Sequence, residues 1–360
     1  VRAVLAALIL LATSPVALAD ITIATAGPMK GQHGVFGEQM KRGAEAAIEA
    51  VNAAGGINGE VLRLEAVDDG CDAKTATAVA QDLIARDVRF VAGHFCSGAS
   101  LAAAPIYEAA SVLMVTPAAS HPRLTDAGHW NVFRLVQRDD AQGEVAARRM
   151  ARLTPGLKTA VLDDGQPPSA ALAQRFTAAS ATPPLAISFK AGAESYAGLV
   201  NDLEEAGIGA VYLACAPAEA GRITRQIREK NPSIAIYGSD SLLTEEFGRA
   251  AGEASDGVLA TFAADPMVRP EAANVVKALQ DRDIVAEGAV IPTYAAVQAF
   301  AAAAKAQGVN DGQAMARWLH SANAIDTVVG AVAFDAKGDL KTQPFVWYRW
   351  QAGKFARETD

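Results

Sequence analysis

Short apolar runs recur along this chain, each followed by a stretch whose apolar residues return at helical spacing. The runs Ile21 to Ala26, Leu62 to Val67, Phe90 to Gly93, Val112 to Val115 and Asn131 to Val136 read as strands. So do Thr159 to Leu162, Ala186 to Phe189, Ala210 to Leu213, Ile234 to Tyr237 and Val258 to Phe262. Between them lie helical stretches: Glu38 to Ala54, Ala73 to Arg86, Ser100 to Ala110, Ala141 to Leu153, Ser169 to Ser180, Tyr196 to Ala206 and Glu219 to Lys230. Near-continuous apolar strands alternating with helices predict parallel sheets covered on both faces, a doubly wound α/β fold. Three further helices, Glu271 to Asp281, Thr293 to Gln307 and Gly312 to Ser321, precede a change of character. The run Val328 to Phe334, a turn at Asp335 to Gly338 and the aromatic run Phe345 to Trp350 read as a hairpin-like β tail. With 360 residues, two sheets fit the length better than one.

The stretch from Phe90 to Thr125 concentrates the candidate chemistry. Its two strands empty into loops of small polar groups, Cys96-Ser97-Gly98 and Thr116 to Ser120. Ligands of open parallel sheets bind at the carboxyl ends of strands, and free N–H and hydroxyl groups there suit a small carboxylate. Two ordinary strand-to-helix turns would have the same composition.

The termini and totals narrow the setting. Arg2, the apolar run Ala3 to Ala12 and the small residues Ala17-Leu18-Ala19 have the form of a secretory signal peptide, residues 1–19, with cleavage expected after Ala19. Export to an oxidising compartment permits a disulfide between Cys71 and Cys96, each of which follows a strand end. Such a bridge would be worth roughly 3–4 kcal/mol in the chain-entropy account. Cys215 then reads as a buried thiol. The net charge of −8 argues against a nucleic-acid partner, and the absence of paired Cys or His spacings argues against a metal. Neither a Gly-x-Ser-x-Gly elbow nor a dinucleotide-binding glycine pattern occurs. His33, His94, His121, His129 and His320 are scattered, and the acid pairs Asp68-Asp69 and Asp163-Asp164 read as solvated loop acids. What remains is a cleft with hydrogen-bonding groups, no cofactor and no reactive constellation, which describes a binder rather than an enzyme.

Several motifs in order resemble a known family: Ala53 to Gly59 (AAGGING), Asp68 to Asp72 (DDGCD), Gly93 to Ser97 (GHFCS), Ile106-Tyr107-Glu108 and Thr116 to Ser120 (TPAAS). Together, behind a signal peptide, they resemble the periplasmic leucine/isoleucine/valine-binding proteins of ABC importers. The resemblance implies a type I periplasmic binding fold, with lobe 1 formed by 20–137 plus 264–340 and lobe 2 by 138–263 plus 341–360. It implies three hinge crossings, closure on a ligand and a disulfide at Cys71 and Cys96. It places an amino acid's carboxylate against Ser97 and Ser120, its ammonium against the Ala118 carbonyl in the loop Ala118-Ala119-Ser120, and Asp240 opposite that ammonium. Phe36 stands where the family has a tyrosine; Phe95, Pro168 and Ala216 occupy the side-chain pocket, the last two where aromatic rings are expected. Two missing rings imply a roomier pocket, so the ligand's side chain is left open. The implied partners are the amino acid and the permease subunits of an inner-membrane importer, with the binding protein a monomer. A soluble sensor of amides, aromatic acids or amino acids is the alternative, and an exported hydrolase using Ser97 a more distant one.

Overall fold

The computed structural model describes residues 20–321 and 324–358; the expected signal peptide lies outside the described residues. The first sheet contains β1 (Ile21–Gly27), β2 (Leu62–Asp68), β3 (Phe90–Gly93), β4 (Leu113–Thr116) and β5 (Val132–Arg134). These strands are parallel, in the order β2-β1-β3-β4-β5. Helices α1 (Gly34–Ala53), α2 (Ala73–Ala85), α3 (Ser97–Ala109) and the short α4 (Arg123–Asp126) connect them.

The second sheet repeats the plan. After α5 (Ala141–Leu153), strands β6 (Thr159–Asp163), β7 (Leu185–Ser188), β8 (Ala210–Ala214), β9 (Ala235–Gly238) and β10 (Leu259–Ala263) form a parallel set, with α6 (Pro167–Ala179), α7 (Ala197–Glu205), α8 (Pro217–Lys230) and α9 (Glu245–Ala251) between them. Helices α10 (Ala273–Gln280), α11 (Val290–Gln307) and α12 (Gly312–Ser321) then belong with the first sheet, as do β11 (Ile325–Thr327) and β12 (Gly330–Val332). Strands β13 (Phe345–Gln351) and β14 (Lys354–Arg357) close the second sheet, whose order is β14-β13-β10-β9-β8-β6-β7.

Each sheet is buried on both faces. Phe90 and Ala92 face one cluster, with α1, α11 and α12, while Val91 between them faces α2 and α3. In the second sheet Val211 and Leu213 face α7 to α9, and Ala210, Tyr212 and Ala214 face α5 and α6. The low aromatic content suits close helix packing. Gly43 lets α1 lie against the Val290 carbonyl, where an added Cβ would come within 2.2 Å. Gly143 does the same for α5 against the Leu172 carbonyl, also at 2.2 Å. Where aromatics occur they stack: the rings of Phe90 and Phe300 are 4.5 Å apart and join sheet to α11, a contact worth about 0.5–1.5 kcal/mol beyond area burial.

The tail differs from its sequence reading. Residues 328–334 and 345–350 do not form one hairpin: β12 pairs with β11, whereas β13 pairs with β10 and β14. The turn at Asp335 is real, closed by a bridge between Phe334 and Leu340, but the chain then passes from the first sheet's side to the second. Alternating residues specify a strand without specifying its partner. Three passages join the two halves, at 135–140, 264–266 and 341–344. They touch one another: the Ala264 N–H donates to the Pro344 carbonyl (2.7 Å) and the Arg138 N–H to Gln343 Oε1 (3.0 Å). Among the described residues no helix is long and apolar enough to cross a membrane.

Candidate functional site

In both sheets the strand order reverses beside the first strand of the set, between β1 and β3 and between β6 and β8. Such switch points open a crevice beyond the carboxyl ends of the strands. On the first sheet the crevice is rimmed by the glycine loop after β1, the turn after β3 and the turn after β4.

Ser97 is the first residue of α3 rather than part of a preceding loop, because the helix begins three residues earlier than its periodicity predicts. The Ser100 N–H donates to the Cys96 carbonyl (2.9 Å), and Cys96 is the N-cap. Ser97 therefore sits at the end of a helix where unpaired N–H groups and the dipole favour an anion. Its Oγ accepts from the His121 N–H (3.4 Å), which brings the β3 and β4 turns together. A disulfide between Cys71 and Cys96, Cα atoms 5.3 Å apart, fastens the first turn to the loop after β2.

The turn after β4 is braced from within. Thr116 Oγ1 accepts from the N–H groups of Ala118 (3.2 Å) and Ala119 (2.9 Å) and donates to the His94 carbonyl (2.8 Å). The carbonyls of Ala119 and His121 accept from Arg134 Nη1, at 2.9 and 3.2 Å. Ala119 thus has both backbone groups engaged inside the protein. Ala118 and Ser120 are the residues of this turn that face the crevice, each half-buried.

In each acid pair the second member, Asp69 or Asp164, is buried, while Asp68 and Asp163 are half-exposed. Asp68 Oδ1 accepts from the Met29 N–H (2.9 Å) and steadies the glycine loop. Asp69 is fully buried, with Oδ2 2.7 Å from His94 Nδ1, and His94 Nε2 lies 3.1 Å from the Tyr107 hydroxyl. On the second sheet Asp164 accepts from the N–H groups of Gln166 (3.1 Å) and Ala216 (2.9 Å), tying the two switch-point loops together. Burial and then the charges of Asp164 and Glu219 push the Cys215 thiol up, so it is an inert, protonated group.

Asp240 follows β9 at the second sheet's rim and is exposed. It is held by Gln142 at the start of α5: the Asp240 N–H donates to Gln142 Oε1 (3.0 Å), and Gln142 Nε2 donates to Asp240 Oδ1 (3.1 Å). Thr261 on β10 donates to the same Gln142 oxygen at 2.6 Å. A second acid stands nearby. The Asp139 N–H donates to the Ser120 carbonyl (3.2 Å). Asp139 is exposed at the rim, yet partial desolvation raises its carboxyl above the usual range; Ser120 opposes the shift and the Asp240 charge adds to it. A carboxylate beside a second one holds its proton more tightly. Sequence reading misses Asp139 and Gln142, because Arg138-Asp139-Asp140 has the composition of an ordinary charged turn.

Beside this rim a cavity of about 580 Å³ reaches toward the three passages; its lining includes Phe36, Phe95, Pro117 and Ala118. Phe36 and Phe95 stack with centroids 4.7 Å apart. Pro168 and Ala216 stand exposed at the helix starts of α6 and α8 and contribute nothing to the cavity wall. Among the described residues no group of His, Cys, Asp and Glu is arranged to hold a metal ion.

Two α/β units of like topology, joined by three passages with polar loops at the strand ends, define a class of two-lobed solute receptors. The chain belongs to the periplasmic binding protein family, whose model matches residues 20–354. It is 36% identical over 341 residues to Leu/Ile/Val-binding protein homolog 1 of Brucella suis, covering 94% of this chain and 92% of that protein. It is 37% identical over 347 residues to an amino acid binding protein of Pseudomonas aeruginosa, again covering 94% and 92%. Its fold is similar to that of a putative branched-chain amino acid ABC transporter from Rhodospirillum rubrum (TM-score 0.76, 22% identity, 94% of this chain and 100% of that one). An ABC transporter substrate-binding protein from Desulfitobacterium hafniense, crystallised with Leu, has a TM-score of 0.68 at 22% identity, with 94% and 100% covered.

Proposed function

We propose that this protein is a periplasmic solute-binding protein that captures an α-amino acid between two lobes and delivers it to the permease of an ABC importer. What supports this reading is that polar groups stand at the carboxyl ends of the strands in both sheets. Ser97 and Ser120 come from the first sheet, and Asp240, held by Gln142, from the second. Ser97 at the α3 N-terminus and Ser120 would take the carboxylate. The Ala118 carbonyl, Asp139 and Asp240 would take the ammonium, with charge-assisted hydrogen bonds stronger than neutral ones. Relatives named as Leu/Ile/Val-binding and amino acid binding proteins support the ligand class.

On this reading 20–137 plus 264–340 and 138–263 plus 341–360 are the closing lobes, and the ligand latches them because it bridges groups from both. The protein acts as a monomer without catalysis; the importer's own subunits consume ATP. Export follows removal of residues 1–19. A thermal-shift screen over amino acids and small carboxylates tests the reading. A ligand at 100 times its Kd adds about 2.7 kcal/mol to stability. No response to any α-amino acid would refute it.

A further inference from the structure

The cavity beside the head-group rim has a chemistry that the amino-acid reading leaves unexplained. At about 580 Å³ it falls within the roughly 300–1,000 Å³ of pockets for drug-sized ligands, more than a branched aliphatic side chain fills. Near the rim its wall is apolar, with Phe36 stacked on Phe95 and Pro117 beside them. Its polar lining consists of half-buried Gln137 and Arg269 and exposed Lys341 and Thr342, with no carboxylate.

Two of these side chains are cations without a counterion. Arg269 is half-buried and, among the described residues, its guanidinium has no hydrogen bond or ion pair. Glu271 reaches the same neighbour, Gly330, from its own exposed position, yet makes no ion pair with Arg269. Lys341 stands exposed at the same wall, and its ammonium has no ion pair among the described residues. The contrast with the interior is sharp: Arg134 and Arg138 each have several acceptors. Closing the lobes over a neutral aliphatic tail would remove water from Arg269 and give it nothing in exchange, which is costly for a charge. An anionic tail supplies the missing acceptors, and a guanidinium presents paired N–H groups that match a carboxylate.

Resting on the amino-acid reading above, we propose that the ligand is an α-amino acid whose side chain ends in an anion, received by Arg269 with Lys341. The methylene part of that side chain lies against Phe36 and Phe95. Acids then face the ammonium at one end and cations face the tail at the other, which fixes the ligand's direction in the cleft.

Calorimetric titration of the full mature chain, freed of co-purified ligand, with L-glutamate, L-2-aminoadipate, L-glutamine and L-leucine tests this. An acidic amino acid is expected to bind about tenfold tighter than glutamine, and that ratio to fall to within about threefold in Arg269→Gln/Lys341→Gln. Thermal melts check that the variant is folded; Arg269→Gln alone, which removes no observed contact, serves if the double variant is not. Glutamine or leucine binding tighter than both acids, or a ratio unchanged in a folded variant, overturns the inference while the amino-acid reading stands. Failure of all four to bind removes that reading and this inference with it.

Discussion

Arg134 and Asp339 form an ion pair 2.6 Å apart from Nε to Oδ1, with side-chain exposures of 0% and 3%. Arg134 ends the last strand of the first sheet, and its two terminal nitrogens hold the carbonyls of Ala119 and His121 and the Thr125 hydroxyl. The turn that presents Ala118 and Ser120 is therefore shaped by a buried charge behind it. Removing one partner of a buried pair costs about 3–5 kcal/mol when the other is left uncompensated. Asp339 keeps Arg138 Nη1 at 2.8 Å, so here the cost falls on the buried Ala119 carbonyl and the part-buried His121 carbonyl, acceptors that lose their donor at about 1–3 kcal/mol each. Arg134→Ala should lose stability on that scale in urea denaturation, and a loss below about 1 kcal/mol would contradict the bracing role.

On the proposed reading Asp240 is the second lobe's contribution to the site. If it meets the ligand ammonium, Asp240→Ala should weaken any α-amino acid that binds by well over about tenfold, the effect of losing a charge partner in a closed site. Titration calorimetry on the variant reads this directly, and an unchanged Kd would remove the residue from the site.

Asp139 makes a prediction with two signs. Partial desolvation and the Asp240 charge raise its carboxyl although the residue is exposed, so the folded, ligand-free chain takes up a proton more readily than the unfolded one. Stability from this group is present below the unfolded value and is lost as pH rises through the raised folded value. Asp139→Asn should therefore raise the melting temperature of the ligand-free protein at neutral pH while weakening amino-acid binding. In the wild type, affinity should fall as pH drops through that raised window and the acid loses its charge. A variant that binds as tightly as wild type across that range would show that Asp139 does not face the ligand.

The disulfide joins residues 25 apart in sequence. A loop of that size predicts that Cys71→Ser/Cys96→Ser loses roughly 3–4 kcal/mol. Chemical denaturation with and without reductant measures it. Reductant should shift the wild type and leave the double variant where it is.

Much of the fold was legible because its signal is local. Buried parallel strands such as Phe90–Gly93 are unbroken apolar runs, and α5 and α12 begin and end where their periodicity does. Ser97, Ala118 and Ser120 could be grouped from sequence because consecutive strands of a doubly wound sheet place their turns side by side. The rest depends on distant pairings. Arg134 sits inside an apolar strand and gives no sign that it pairs with a residue 205 positions later. Gln142 has the appearance of a helix surface residue, yet it links the rims of β9 and β10. The tail's two strand-like segments serve different sheets, and the passages between halves have no periodicity to mark them.

Gln142 lies two residues beyond the passage at 135–140 and grips both the N–H and the carboxylate of Asp240. The acid of the second lobe is consequently geared to the segment about which the lobes would turn. If the lobes close as proposed, rotation at that segment would carry Asp240 with it, because Gln142 ties the two together. A solute lacking a cation at that point would enter the crevice and leave it ajar, and the chain would report it as the wrong cargo by its shape alone.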